Sequence, residues 1–551
     1  MNMKDVTMKK SGFINGALIT TLGIVIAKVL GIVYVVPFHE LIGDKGGALY
    51  GYAYTIYTLF MSLASAGVPL AISKLVSEYQ TEGYYNAKNR VFVIGKKISL
   101  LLGFICFIII VFTAPLLAKA ILGNAFGGNT IEDVTYVIRV IAIAILIVPH
   151  LRIYRGYFEG RKLFSPPSIS QVIEQIVRVL VIIFGSYLAL KVFKLNLTTS
   201  VGIALFGASI GAIISYIYLV DKYLKNRKIF KERIRKVNEP KITDKAIFRK
   251  ICYYAIPFIL IDVFKASYNY VDMVTVVKNL VKYASFKTAD AEIIYSMLST
   301  WSNKFNMIIL AVSTGVVVSL IPNLTESIVK KDKDKIENKI NQSLVVLLFL
   351  IVPMTLGISF LAKPIWILFY GNSTFGPSVL SFYIFVGFFI SLFTCLVTII
   401  QVLKDYKIVL ISLLSGLVIK ILLNKYLLVS FYKLNLPAYY GVITASIIGY
   451  FISSIICLII LRRKYNINLE GVVKNFIDIM CGSLLMILVL MIIKLFIPIT
   501  ASTRIGNIVI ILIYALIGII TYFVYGYFSK LTRKVFGKDI FKVLYGLIIR
   551  K

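Results

Sequence analysis

Lys28 lies midway along ALITTLGIVIAKVLGIVYVVP, an apolar run that ends at Pro37. About 20 such residues cross a bilayer as a helix. A lysine near the centre of such a run costs about 3 kcal/mol or more unless it meets water or a partner. Lys28 is therefore expected to face a protein interior. The same argument picks out Asp262, Lys265, Asn269 and Asp272, whose spacings of three, four and three put them on one helical face. Gln171, Glu174, Gln175 and Arg178 form a second such stripe, with Glu174 and Arg178 spaced to pair. Lys304 lies within TWSNKFN, and Lys420 and Asn424 are one turn apart with Lys425 beside them. Stripes of this kind line a polar cavity or grip a neighbouring helix, and the cavity is the stronger reading.

The sign of the charge narrows the chemistry. Lys28, Arg178, Lys265, Lys304 and Lys420 outnumber Glu174, Asp262 and Asp272 within the apolar segments. A chamber with surplus cations attracts a polyanion, whereas one for organic cations needs the opposite surplus. Phosphate or pyrophosphate, held by several lysine and arginine donors, is the natural guest. Arg139 and Lys494 read as interfacial side chains that snorkel to the membrane surface. Tyr50, Tyr54 and Tyr57 form an aromatic stripe that reads as packing before it reads as a platform for a sugar. His39, Glu40 and Asp44 fall in an expected outer loop, HELIGDKGG, with no pattern beyond that of loop residues. The five cysteines show no paired spacing, so neither a metal site nor a disulfide framework is expected. No phosphate-binding glycine loop or nucleophile elbow is present; the chain reads as a non-enzyme that needs no cofactor.

The elements that position these residues follow from composition. The chain has 551 residues, 59% of them hydrophobic, and a soluble fold has no means of hiding so much apolar surface. The expected fold class is an all-α polytopic membrane protein of about fourteen spans: 13–36, 48–73, 99–121, 134–154, 168–190, 200–220, 251–277, 297–321, 343–362, 378–400, 408–430, 438–461, 476–497 and 506–528. The net charge of +35 concentrates in alternate loops and both tails. That pattern argues against nucleic-acid binding and places both termini in the cytoplasm of a cell-membrane protein. The loop 221–250 holds twelve basic and four acidic residues and divides an N-lobe, 1–220, from a C-lobe, 251–461. Two further spans occupy 462–528. The tail 529–551 alternates basic and apolar residues, as an amphipathic helix on the inner leaflet does. Ser65, Gly67, Val68 and Glu78 recur at one constant offset as Ser313, Gly315, Val316 and Glu326, and a separate alignment sets Lys28 opposite Lys265, so the two lobes read as related halves.

Three stretches carry a family resemblance: the segment from IAKVLGIVYVVPFHELIGDKGG to PLAISKLVSE, the run LRIYRGYFEGRKLFSPPSISQVIEQIVRV, and KILLN. Over nearly its whole length the chain resembles the polysaccharide-transport branch of the multidrug/oligosaccharidyl-lipid/polysaccharide exporter superfamily. Within that branch it is similar to the group of stage V sporulation protein B and the Gram-positive MurJ-type lipid II flippases. The resemblance implies two six-helix lobes, a terminal helix pair that shapes a groove for a lipid tail, and outward flipping of an undecaprenyl-pyrophosphate-linked precursor by alternating access. It puts Lys28 on the basic position of the first-helix motif and Lys304 on that of the eighth. Tyr34 and Val35 stand where some members carry further charges. Lys420 and Asn424 lie near positions that serve sodium in others, and an ammonium there can replace the metal cation. Lys28, Lys265, Lys304, Arg178, Glu174 and Gln171 are thus the expected substrate-binding set. Asp262, Asn269, Asp272, Lys420 and Asn424 are the expected polar or coupling set. The expected partners are a lipid-linked oligosaccharide, the bilayer and cell-wall synthases, with the chain acting as a monomer. Another lipid-linked glycan, a cation-coupled drug exporter and a non-transporting scaffold for wall synthases are the alternatives.

Overall fold

A computed structural model describes residues 26–27, 30–65, 67–123, 127–226 and 240–536. Lys28 lies outside the described residues, as do 227–239 of the basic loop and 537–551 of the tail. Among the described residues the chain is helical and has no strand. Twelve helical segments are long and apolar enough to cross a membrane. The charged helix Asp244–Ala284 is a further long one, 41 residues in length. The first expected span falls largely outside the described residues.

Contacts divide the chain into two compact units, Met1–Ser296 and Met297–Lys551. The first holds α1 (Val35–Ser65), α2 (Val68–Glu82), α3 (Tyr85–Leu122), α4 (Ile131–Gly160), α5 (Ser165–Leu180), α6 (Leu197–Lys225), α7 (Asp244–Ala284) and α8 (Thr288–Ser296). Side chains in the first two turns of α7 explain why it groups with the helices before it. Asp244 takes an ion pair from Arg90 of α3, and Lys250 pairs with Glu78 of α2 at 3.0 Å. Between α1 and α2 the chain runs so close to α7 that a methyl on Gly67 would collide with the carbonyl of Ala255. The basic segment 221–250, read from sequence as the divide between lobes, falls inside this unit.

Two local expectations are corrected. The outer loop placed at 39–47 is helical on both sides of a single corner at Gly43, where φ is 61° and ψ −169°. Glycine reaches that left-handed φ without steric cost, so one residue does the work expected of nine. His39 and Asp44 meet across the corner at 3.3 Å. The second copy of the repeated hairpin sequence also differs from the first. The first breaks at Gly67, whereas the second runs unbroken through Gly315 within a helix from Asn303 to Val329.

The helix starts are set by side-chain caps that satisfy otherwise unpaired amides. Thr130 and Asp133 form a reciprocal capping box on α4, Asn196 caps α6 and Thr243 caps α7. α4 is the buried centre of the unit, packing against α1, α2, α3 and α6.

The second unit begins with a π-helical turn, Met297–Trp301. It then holds α9 (Asn303–Val329), α10 (Lys333–Phe360), α11 (Ala362–Tyr370), α12 (Gly376–Val402), α13 (Tyr406–Lys433), α14 (Ala438–Arg463), α15 (Glu470–Ile493), α16 (Arg504–Phe528) and α17 (Leu531–Phe536). α13 pairs closely with α14, and α9 with α12. The terminal pair α15–α16 packs against α10 and α11.

Candidate functional site

The densest set of charged side chains within the helices lies in the first unit, where α1, α4, α5, α6 and α7 come together. Arg155 of α4 reaches across to α5 and α6. Its Nη2 donates to Glu174 Oε2 at 2.7 Å, to Ser170 Oγ at 2.9 Å and to Ser215 Oγ at 3.2 Å. Ser170 and Ser215 bond each other at 2.8 Å and close the cluster. Glu174 is therefore the partner of Arg155 and not, as its spacing suggested, of Arg178. The i, i+4 geometry permits the local pair, but an arginine arriving from a neighbouring helix takes the carboxylate first.

Arg178 turns instead toward α1. Its guanidinium carbon stands 5.3 Å from the centre of the Tyr54 ring. Tyr34, Tyr50 and Tyr57 complete the surroundings. Tyr50 stacks on Tyr54 at 5.7 Å and 11°, so the aromatic stripe of the second span is the wall against which this cation rests. A guanidinium on an aromatic face keeps its charge without a carboxylate. Among the described residues none pairs with Arg178 in an ion pair. Gln171 and Gln175 are half-buried on the same helix, and the Gln175 amide approaches Gly31.

On α7, Asp262 and Lys265 are half-buried and interact electrostatically with each other, and Asp262 also feels Arg152 of α4. Arg152 in turn donates to Ser65 Oγ at 3.1 Å, at the end of α1. Asn269 is exposed and Asp272 half-buried. The unit thus holds Arg178, Glu174 and Gln171 on α5 and Asp262 and Lys265 on α7, with Arg152 acting electrostatically on both Asp262 and Tyr57, and it adds Arg155, which the spans drawn from sequence left out. The span read as ending at 154 runs to Gly160, which makes Arg155 intrahelical along with Arg152, a residue inside that span but not singled out. Their i, i+3 spacing in LRIYRGYFEG was the available signal.

A second polar node escaped sequence reasoning altogether. Glu292 of α8 is 1% exposed. It accepts from the Asn129 amide nitrogen at 2.9 Å, from Asn129 Nδ2 at 3.0 Å and from the Tyr52 hydroxyl at 3.4 Å. Tyr52 stacks on Tyr295 at 4.6 Å. Together they fasten α8 to α1 and to the turn before α4.

In the second unit, Lys304 is half-buried on the first turn of α9. Lys420 is 1% exposed and donates to Ser446 Oγ at 2.7 Å, which ties α13 to α14, and Asn424 is buried one turn further on. Lys425 and Lys494 are exposed. An apolar groove of about 400 Å³ runs between α10, α11, α15 and α16, lined by Phe349, Met354, Leu361, Leu490, Tyr514 and Phe523 among others. No group of three or more His, Cys, Asp or Glu side chains able to hold a metal occurs among the described residues.

An all-helical membrane protein with charges buried in its interior and an apolar groove on its flank is built as a multi-pass transporter. The comparisons narrow the class. The chain matches the family described as polysaccharide biosynthesis protein over residues 13–326 and the MatE family over 299–426. It is 32% identical over 539 residues to the lipid II flippase MurJ of Bacillus subtilis (strain 168), covering 96% of this chain and 98% of that protein. Its fold resembles a solved lipid II flippase MurJ in an inward closed conformation, with a TM-score of 0.68 at 17% identity over 95% of this chain and all of that one. It also resembles an inward-facing multidrug resistance MATE transporter of the MOP superfamily, with a TM-score of 0.62 at 12% identity over 82% of this chain and 98% of that one. The chain belongs to the polysaccharide biosynthesis protein family, together with MurJ-type flippases.

Proposed function

We propose that this protein is a flippase that carries an undecaprenyl-pyrophosphate-linked cell-wall precursor, lipid II, from the inner to the outer leaflet. The observation that carries the reading is Arg178, a cation in the interior of the first unit that rests on tyrosine rings while the nearby carboxylate is taken by Arg155. A charge so placed is costly in a membrane protein and is retained where a ligand of opposite sign arrives. The diphosphate neutralises Arg178 and Lys265, with Arg152 close by, and Lys28 and Lys304 act as further basic groups of the family's first- and eighth-helix motifs. Gln171 offers hydrogen bonds to the headgroup, and Glu174 fixes Arg155. Asp262, Asn269, Asp272, Lys420 and Asn424 supply the polar groups through which transport is coupled. The prenyl tail occupies the apolar groove between α10 and α16.

The protein's own contribution is binding and alternating exposure, without bond chemistry; it is a transporter and not an enzyme. Repulsion among the cations favours an open interior until the anion arrives, so binding and conformational change are linked. Both termini lie in the cytoplasm, on the side of the basic loops. The chain acts as a monomer beside cell-wall synthases. Depleting the protein from a cell that depends on it and analysing membrane lipids tests the substrate. Lipid II accumulates on the inner leaflet if the reading holds, and a different polyprenyl-linked glycan accumulates if the substrate is misassigned.

One observation favours a second reading, a cation-coupled exporter. Asp262 sits beside Lys265, a carboxylate that a coupling proton or cation can occupy. That reading requires drug efflux to fail when Asp262 is neutralised and lipid II to stay normally distributed.

A further inference from the structure

A polar pocket of about 360 Å³ opens in the second unit where α10 and α15 begin and α17 packs against them. Asn338, Asn341 and Gln342 of α10, Asn475 of α15 and Lys534 of α17 line it. Asn341 Nδ2 is fixed on the carbonyl of Asn468 at 2.8 Å. Lys534 is held at the rim by Asp478 at 3.1 Å. We propose that this pocket binds the headgroup of an anionic membrane lipid that carries free hydroxyls, of the phosphatidylglycerol type.

Three features point to that ligand. Each of the four amides offers both donors and acceptors, a match for hydroxyl groups that also do both. The surroundings are basic. Lys331, Lys333, Lys335, Lys339, Lys474, Lys530 and Arg533 flank the pocket in sequence, against Asp332, Asp334, Glu337, Glu470 and Asp478, with Asp332 paired to Lys335 at 2.8 Å. Juxtamembrane lysines of this kind attract anionic headgroups at the cytoplasmic surface. Val345 of α10 and Val535 of α17 also line the pocket and give it an apolar side beside its amides, where the start of an acyl chain can lie. A glycerol phosphate fits a pocket of this size, whereas a disaccharide-peptide headgroup does not. The site is therefore separate from the transport substrate and its tail groove. Bound there, the lipid bridges α10, α15 and α17, with its phosphodiester sharing Lys534 with Asp478.

The test uses the full-length protein in nanodiscs of phosphatidylcholine doped with one lipid at a time, with retained lipid counted by native mass spectrometry. Phosphatidylglycerol supplies both charge and hydroxyls, a glucosyl diacylglycerol hydroxyls alone, phosphatidylserine charge alone, and phosphatidylcholine neither. Retention of phosphatidylglycerol about tenfold above phosphatidylcholine is expected, with the other two between them. Asn341→Leu/Asn475→Leu should abolish the preference for hydroxyls, and Lys534→Glu the preference for charge, while Lys534→Arg keeps it. Equal retention of all four lipids by the native protein, a comparison that needs no variant to fold, overturns the proposal. So does a preference that survives filling the pocket with leucine.

Discussion

Arg155 and Glu174 face each other at 2.7 Å from two different helices, and Arg178, one turn beyond Glu174, is left to four tyrosines. This division of partners gives the two arginines different work. Arg155 is bound on every side by Glu174, Ser170 and Ser215 and holds α4, α5 and α6 together. Arg178 keeps its charge available.

The division predicts opposite phenotypes. Arg155→Ala strands a half-buried carboxylate and should cost about 1–3 kcal/mol of stability. Arg155→Met combined with Glu174→Leu removes both charges and should recover most of that loss. Arg178→Gln should change stability little and transport strongly. Thermal unfolding in detergent separates the three variants. An Arg178 variant as unstable as Arg155→Ala would show that the partners are misassigned.

Glu292 is the anchor of α8. Glu292→Ala leaves the Asn129 backbone amide and the Tyr52 hydroxyl without their acceptor, and the Asn129 side chain with the Lys45 carbonyl alone, at a cost of about 1–3 kcal/mol for each buried group left unmet. Hydrogen exchange should rise first in α8 and in the turn at Asn129. Glu292→Gln keeps an acceptor and should fall between the native protein and the alanine variant. Unchanged exchange in α8 for Glu292→Ala would mean that the network is not what holds this helix.

Gly67→Ala should be severe, because its methyl meets the backbone carbonyl of Ala255 and not a side chain able to rotate away. The expected result is a drop in folded yield together with loss of the Lys250–Glu78 bridge nearby. Gly315→Ala serves as the control, since no atom comes within 4 Å of an added methyl there. Equal tolerance at both positions would contradict the close approach of α7.

Asp405, in the turn between α12 and α13, supplies a pH signature. Burial opposes its ionisation, yet hydrogen bonds from Lys464 and Tyr465 outweigh burial and hold the carboxyl below the usual carboxylate range. A carboxylate depressed in the folded state stabilises above its unfolded value of about 4, and that contribution is lost as pH falls through the lowered folded value. Melting curves from pH 6 down to 3 should show the native protein losing stability at the acid end. Asp405→Asn should start lower and lose less over that range. Parallel curves for the two proteins would remove Asp405 from the account.

The fold was legible because apolar length and basic loops are written locally. A run of twenty apolar residues means a span whatever its neighbours are, and the span ends drawn from sequence differ from the helix ends by a few residues to about a dozen. What stayed hidden depends on partners far along the chain. The Glu174–Arg178 pair followed from helical spacing, but Arg155 arrives from α4 and no local pattern announces it. Glu292 lies in a stretch read as connection, and its acceptor role appears only when Asn129 folds against it. The corner at Gly43 shows a third limit: HELIGDKGG has a loop's composition, yet a single glycine with positive φ lets helix continue on both sides. The charged stripe on α7 was visible from its spacing, and Lys28, the first residue the sequence singles out, lies outside the described part of the chain.

The central claim is that cations inside the helical bundle receive the diphosphate of a lipid-linked precursor. The measurement that tests it most directly is lipid II translocation by purified protein in liposomes, native against Arg178→Gln/Lys265→Gln, with thermal unfolding confirming that the variant is folded. The account predicts that the folded double variant loses translocation by at least about tenfold, the effect of roughly 1.4 kcal/mol of binding. Native rates in that variant would contradict it.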